Sequence, residues 1–474
     1  MEFEAKAHPL MIFRFIKPLI FVAVIPLVRA LIQYLAQGSI SGLLGLESAA
    51  LGIITVVAVA QWRSISVTVC DGTVSISRGV IIKSSAQIEL KKLSSVSFKE
   101  NPIDKISGAV TVCINTEAGR IGKPDFNIKL YTRDAVRLSE YIYGDGGRTA
   151  ICVSPVKIAA MAAMTSSAVT GLIIGVPILN QAAGLFGVAL SEILIKDIKS
   201  MGEKMNVYFP TALRTVTGIL LGGYLISALI LFVKNLFFRV FVSGNRLEIR
   251  SGVFVRRRSL FLRSSVNNVC IEQTPLMRIF HRFSMSASVG GYGDERGERA
   301  VIAPCGKRGE MRRQFLLFFP FLSADGVLIK PPRGKRLKQR FFFAPAVASA
   351  SVMVIGSTAM AIFPMFYQVI FFLSAVAASV ICYYCNLCVY NYRFGKIRFG
   401  ENISARASKG FGIREIYCEK GRVGEIKLIR YPADRRYGTC KVKITVRSES
   451  ANSVRVRNVD FEKTKNAIYR CFGE

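Results

Sequence analysis

Three groups of residues in this chain have the types and spacing to do chemistry. Arg256, Arg257 and Arg258, with Arg263 shortly after, form the densest cationic run. Arg333, Lys335, Arg336, Lys338 and Arg340 form a second. Clustered cations recognise anions, and each one near a surface of acidic headgroups contributes about 1 kcal/mol, fading within a Debye length. Both runs are therefore candidates for binding lipid or an acidic partner. The blander alternatives are a solvated strand face for the first and a topology anchor for the second. Cys382, Cys385 and Cys388 have the C-x-x-C-x-x-C spacing of iron–sulfur ligands. They lie in an apolar run, however, where positions i, i+3 and i+6 of a helix do not share one face, and no fourth ligand is near in sequence. Small apolar packing, or reversible acylation beside a membrane, fits them better.

The remaining candidates argue against catalysis. His8 and His281 are the only histidines, and neither has a neighbouring nucleophile or carboxylate at triad spacing. Gly290-Gly291-Tyr292-Gly293 lacks the Lys-Ser/Thr of a phosphate loop and reads as a turn. The expectation is a protein without enzymatic activity, metal or cofactor. A net charge of +33 raises nucleic acid as a partner. No aromatic stacking motif, zinc finger or recognition helix accompanies the charge, and its distribution has another cause, so nucleic acid is not expected.

That cause is a thrice-used arrangement of elements. Paired apolar stretches occur at Pro18–Ala36 and Leu43–Trp62, at Ile158–Leu179 and Ala212–Val233, and at Ala344–Phe363 and Phe366–Val389. Each is long enough, as a helix, to cross a hydrocarbon core of about 30 Å. The connectors within the pairs carry little net charge. The segments after them, Arg63–Pro155, Arg239–Phe343 and Tyr390–Glu474, carry +4, +14 and +11. Basic loops stay in the cytoplasm. The sequence thus predicts a multi-pass membrane protein, with both termini and all basic segments cytoplasmic. Arg29 and Glu47 would be intramembrane charges, which are costly and so functional candidates by default. They could snorkel, pair with each other or line a path. Gly171-x-x-x-Gly175 and Gly218-x-x-x-Gly222 would let the second pair of helices pack closely. Eleven cysteines without a framework pattern agree with a reducing compartment.

The basic segments read as one β-rich domain used three times. The first two align without a gap. Arg78-Gly79-Val80 falls over Ser251-Gly252-Val253, and Leu93, Val96 and Phe98 over Val266, Val269 and Ile271. Asn101-Pro102-Ile103 falls over Thr274-Pro275-Leu276. The third keeps the glycine step at Lys409-Gly410-Phe411 and the ladder at Val423, Ile426, Leu428 and Pro432, with a longer connection expected after Phe399. Alternating apolar residues with turn punctuation are strand-like. Each domain then closes with an amphipathic helix, at Arg133–Tyr143, Lys307–Phe319 and Glu462–Cys471. In the first, Ala135, Val136, Leu138 and Ile142 are expected to share a face.

This combination of hairpin, glycine step and apolar-ladder-to-proline run resembles the bacterial pleckstrin-homology-like (PH-like) membrane proteins of the YdbS/YdbT type, in particular the triple-repeat, YdbT-like members. The resemblance implies integral membrane α-helical hairpins plus all-β PH-like barrels, each capped by a C-terminal helix, in three tandem repeats. Transmembrane hairpins would occupy residues 1–62, 156–238 and 336–389, with PH-like domains at 63–155, 239–335 and 390–474. It also implies a non-catalytic scaffold or sensor, with a proposed link to envelope stress or resistance to membrane-active peptides. Expected partners are the inner membrane, anionic phospholipid headgroups, and a membrane or cytoplasmic protein such as a shorter single-repeat paralogue. The alternative reading is a bundle of three hairpins that transports or exports a membrane-active peptide.

Overall fold

The structure is a computed structural model that describes residues 3–16, 43–80, 82–116, 124–143, 149–167, 211–290, 292, 299–323, 325–332, 344–409, 412–447 and 453–473. Arg29 and the whole run Arg333, Lys335, Arg336, Lys338 and Arg340 lie outside these residues, as do the segments Pro18–Ala36 and 168–179. Glu47 sits in a described helix, but its side chain is not described.

The first repeat opens with β1 (Phe3–Lys6) and a helical turn, α1, over residues 11–16. Helix α2 (Leu43–Arg63) leads into β2 (Ser66–Cys70), β3 (Thr73–Arg78) and β4 (Ser84–Glu89). A 3₁₀ turn, Leu90–Lys92, turns the chain into β5 (Leu93–Glu100), α3 (Pro102–Ser107), β6 (Ala109–Thr116), β7 (Phe126–Tyr131) and α4 (Thr132–Tyr143). The second repeat follows the same order with β8 (Thr149–Cys152), α5 (Pro155–Thr165), α6 (Thr211–Asn235), β9 (Arg239–Ser243), β10 (Arg246–Ser251) and β11 (Arg256–Leu262). After a 3₁₀ turn at Arg263–Ser265 come β12 (Val266–Gln273), α7 (Pro275–Ile279), β13 (Phe283–Val289), β14 (Ala300–Gly306) and α8 (Arg308–Phe318). The third has β15 (Val327–Ile329), α9 (Ala344–Ile362), α10 (Tyr367–Phe394), β16 (Lys396–Phe399), β17 (Asn402–Lys409) and β18 (Gly412–Glu419). Its 3₁₀ turn, Lys420–Arg422, precedes β19 (Val423–Ile429), α11 (Pro432–Arg435), β20 (Thr439–Val446), β21 (Ser453–Asp460) and α12 (Phe461–Phe472).

Local chemistry explains the punctuation. Asp71 and Gly72 both take positive φ, +48° and +72°, the two-residue hairpin turn that matches strand twist. Gly79 stands at φ +113°, and a Cβ there would lie 2.0 Å from the Ile82 carbonyl oxygen, which explains the glycine step between β3 and β4. The proline after each ladder begins a short helix. In α3 and α11 the third-position aspartate reaches back, Asp104 accepting from Asn101 N at 3.4 Å and Asp434 from Tyr431 N at 3.3 Å. In α7, where Met277 replaces that aspartate, Thr274 Oγ1 accepts from Met277 N instead. The longer connection expected after Phe399 is instead a further strand: β17 fills it and runs up to the glycine step.

The strands of the described residues form four antiparallel sheets, in the orders β1-β2-β3-β4, β7-β6-β5-β11-β10-β9-β8, β14-β13-β12-β18-β17-β16-β15 and β19-β20-β21. The short strand ahead of each apolar pair thus joins the three strands behind it. The chain divides into two compact units: Met1–Cys152 with Phe237–Ser265 and Gly290–Arg296, and Val153–Leu236 with Val266–Val289 and Gly297–Glu474.

The first unit holds the first two sheets. Its core gathers Val67, Val69, Val74, Ile76, Val96, Val110, Val112, Ile114, Leu130 and, from α4, Ala135 and Leu138. Val136, expected on that inward face, is 43 % exposed, because one helical step swings it away from Ala135. Leu260 of the second repeat joins this core through β11. His8 is part of it too: its Nδ1 accepts from Leu10 N, its Nε2 meets the Ser107 carbonyl at 3.2 Å, and its ring packs edge-on to Tyr131.

The second unit holds the other two sheets. Ile397, Phe399, Ile403 and Ile416 pack against Val442, Ile444, Val456 and Val459, and Cys270 of the second repeat joins them through β12. Here α9 and α10 run along each other as a hairpin about Pro364, with Gly356 so close to Ser374 that a Cβ would sit 2.9 Å from its Cβ. Among the described residues, one helix, Leu373–Phe394, is long and apolar enough to cross a bilayer; Gly52–Arg63, Pro155–Thr165, Ile219–Asn235 and Ala346–Ile362 are shorter apolar helices.

Candidate functional site

The first unit contains a cleft of about 420 Å³ where β5 and α4 of the first repeat meet β9, β10 and β11 of the second. Strand register builds its charge. Arg239 stands opposite Arg250, Arg250 opposite Arg258, and Arg258 opposite Phe98, so one row crosses four strands. Like charges directly opposite each other repel. Glu248, on the same face two residues before Arg250, relieves part of that repulsion. Its Oε1 accepts from Arg250 Nε and, at 2.6 Å, from Arg258 Nε. Burial pushes the Glu248 carboxyl up, but the two arginines outweigh this and hold it below the usual carboxylate range. Arg258 also donates to Ser139 Oγ on α4 at 3.3 Å, while Arg250 lies 4.5 Å over the Phe241 ring.

One carboxylate does not neutralise this many cations. Arg239 and Arg256 are exposed at the cleft and make no ion pair among the described residues. Arg257 lines it as well, with Glu100 the only lining carboxylate among the described residues. The walls between are apolar: Phe98, Ala135, Val136 and Phe237. Phe237, 61 % exposed at φ +57°, lies two residues beyond the end of α6. A planar guanidinium binds an oxyanion through two parallel hydrogen bonds, so several around one concavity suit phosphate or carboxylate.

The fold does not demand this charge, because the other repeats do without it. In the first repeat the corresponding row is Ser66, Ser77 and Ser85, with Ser66 and Ser77 hydroxyls 2.7 Å apart. In the third it is Lys396, Arg406 and Glu415, with Lys396 2.6 Å from Glu415. The arginine row belongs to the second repeat alone.

The structure divides the residues singled out in the sequence. Arg256 and Arg257 line the cleft, and Arg258 lines it while braced by Glu248. Arg263 sits in the 3₁₀ turn beyond β11 and is not among the lining residues; burial pushes its pKa down. Arg239, Arg250 and Glu248 were missed. The alternation Glu248-Ile249-Arg250 signals one shared face, but nothing local to the sequence places Arg239 beside it. Cys382 is exposed and Cys385 half-buried on α10, and the Cys388 side chain is not described. Among the described residues no group of three His, Cys, Asp or Glu stands together as a metal site.

A second cavity of the first unit, about 840 Å³, is largely apolar, and Arg14 at its edge donates to the Asn127 carbonyl at 2.6 Å.

The bacterial PH domain family model matches residues 18–144 and 174–314, more than half of the chain. The chain belongs to the bacterial PH domain family. The first matched region of this bacterial PH protein takes in the first apolar pair and the strands after it; the second begins at residue 174, takes in Ala212–Val233 and the strands after it, and contains the arginine row. No curated protein and no solved structure matches.

Proposed function

We propose that this bacterial PH protein is a non-catalytic scaffold or sensor, anchored by three helical hairpins in a bacterial inner membrane with its sheets in the cytoplasm, and that its arginine cleft binds an anionic group of a lipid headgroup or an acidic partner. The observation that carries the reading is the row Arg239–Arg250–Arg258, set in a concavity with one bracing glutamate and replaced by serines in the first repeat. Support for the membrane comes from α9 and α10, whose Val354, Ile355, Phe371, Leu373 and Val380 are all more than half exposed, an arrangement that water disfavours and lipid accepts.

The test uses the full chain in nanodiscs and a soluble short-chain phosphatidylglycerol as probe. Binding that weakens at least tenfold in Arg239→Gln/Arg256→Gln, and falls as salt rises, supports the reading. Equal binding by wild type and variant refutes it. Proteolysis of spheroplasts from outside, cutting within the β segments, would refute the orientation.

A further inference from the structure

The two places where one repeat joins the next are built identically, and each end of the chain carries half of that junction. Strand β5 of the first repeat pairs antiparallel with β11 of the second, with Val96 opposite Leu260 and Ser97 opposite Ser259. Strand β12 of the second pairs antiparallel with β18 of the third, with Val269 opposite Tyr417 and Cys270 opposite Ile416. The 3₁₀ turns give a common ruler. Leu260 and Tyr417 each precede their turn by three residues, and Val96 and Val269 each follow theirs by four. The register is therefore the same at both junctions.

By the same ruler, β4 corresponds to β11 and β18, and β19 corresponds to β5 and β12. Among the described residues neither has a partner on that side: β4 ends its sheet, and β19 ends its own. The burial shows what is missing. Val96 and Val269, covered by the next repeat, are 0 % exposed. Ile426, which holds their place on β19, is only half-buried. On β4, four of six residues are exposed.

We propose that copies of this protein associate head to tail, β4 of one copy adding antiparallel to β19 of another in the register already used twice inside the chain, with Gln87 opposite Ile426 and Ala86 opposite Lys427. An open strand edge is a ready template for a matching strand. The two edges differ from each other, so the contact is heterologous and extends into a ring or a row. Its chemistry sets its strength. Where the internal junctions place Leu260 and Tyr417, β4 has Gln87, and β19 presents Glu425 and Lys427. These residues keep the edges from indiscriminate pairing, leaving backbone hydrogen bonds as the main attraction. Such a contact is weak and needs copies held at high local concentration.

The experiment places Ala86→Cys in one full-length chain and Lys427→Cys in a second, differently tagged chain, co-expressed in native membranes and oxidised with copper phenanthroline. Directly opposed residues bring Cα atoms to about 4.5–5.5 Å, within disulfide reach. The expected result is a mixed-tag disulfide dimer well above the wild-type background, absent when Lys427→Cys is replaced by Arg436→Cys, an exposed position beyond β19. Unchanged native-gel migration of each variant under reductant shows that folding is intact. No mixed dimer overturns the proposal. So does a chain bearing both Ala86→Cys and Lys427→Cys that yields only an internally linked monomer, which would show that the two edges close within one copy.

Discussion

Replacing Glu248 by Gln tests the bracing of the arginine row and its charge together. The carboxylate is 6 % exposed and its main partner, Arg258, 25 %. Removing one member of a buried pair costs about 3–5 kcal/mol, because the other charge is left without compensation. Arg250 is 41 % exposed, so solvent screens its share, and glutamine keeps one acceptor. About 2–3 kcal/mol is therefore expected. With a urea dependence of about 2 kcal/mol per molar, the unfolding midpoint falls by roughly 1–1.5 M. Trp62 is a suitable reporter. It is the only tryptophan, it packs against the core that contains Leu260, and its Nε1 donates to the Ala7 carbonyl at 2.7 Å. The same substitution frees two guanidinium groups toward the cleft, so the short-chain phosphatidylglycerol probe should bind roughly fivefold tighter, about 1 kcal/mol of added attraction. Stability and binding move in opposite directions. A midpoint within about 0.2 M of wild type, which is about 0.4 kcal/mol and roughly a sixth of the expected change, refutes the brace. A weaker probe affinity with the midpoint shift present refutes the placement of Arg250 and Arg258 toward the ligand.

Three further outcomes follow from single sites. Gly79→Ala, forced to φ +113° with its Cβ against the Ile82 carbonyl, should lower the thermal midpoint by several degrees, whereas Gly309→Ala, in helix α8 with open space around it, should leave it unchanged or raise it. Burial pushes the Glu272 carboxyl up, but Arg414 and Arg299 hold it low, so its contribution is present above the unfolded value near about 4.3 and is lost as pH falls through the folded one. The stability gap between wild type and Glu272→Gln should accordingly be wide at pH 7 and close below about pH 4 in urea titrations. Burial raises the thiols of Cys270 and Cys418 to about 12, so maleimide at pH 8 should label exposed Cys152 and spare both unless the protein is unfolded; labelling of either in the native protein would contradict their packing.

Much of this fold is written in local pattern. The alternating ladders, the glycine step and the three closing helices are short-range signals, and among the described residues they lie where the sequence puts them to within a residue or two. Strands β1, β8 and β15 were not legible. Phe3–Lys6, Thr149–Cys152 and Val327–Ile329 are three or four residues long, too short to show a period, and each finds its partner only across an intervening apolar pair. The arginine row failed to emerge for a related reason. Arg256–Arg258 is conspicuous as a run, yet adjacent strand residues face opposite ways. Register, which no local signal carries, brings Arg239 and Arg250 into one row with Arg258.

That register also changes what a repeat is. In the first unit Leu260 completes the core of the repeat before its own, and in the second Cys270 belongs to the core of the repeat after its own. A tandem array stabilised by nearest-neighbour contacts does not divide into independent beads. The cleft is a product of this exchange: β5 and α4 supply Phe98, Ala135, Val136 and Ser139, while the second repeat supplies Phe237 and, from β9 to β11, the cations. A single repeat holds either half and not the whole. Duplication therefore did more here than multiply a domain. The seam between repeats is itself a place to build a site, and at the first seam arginines stand where the first repeat has serines, so the structural joint is a concave cationic surface.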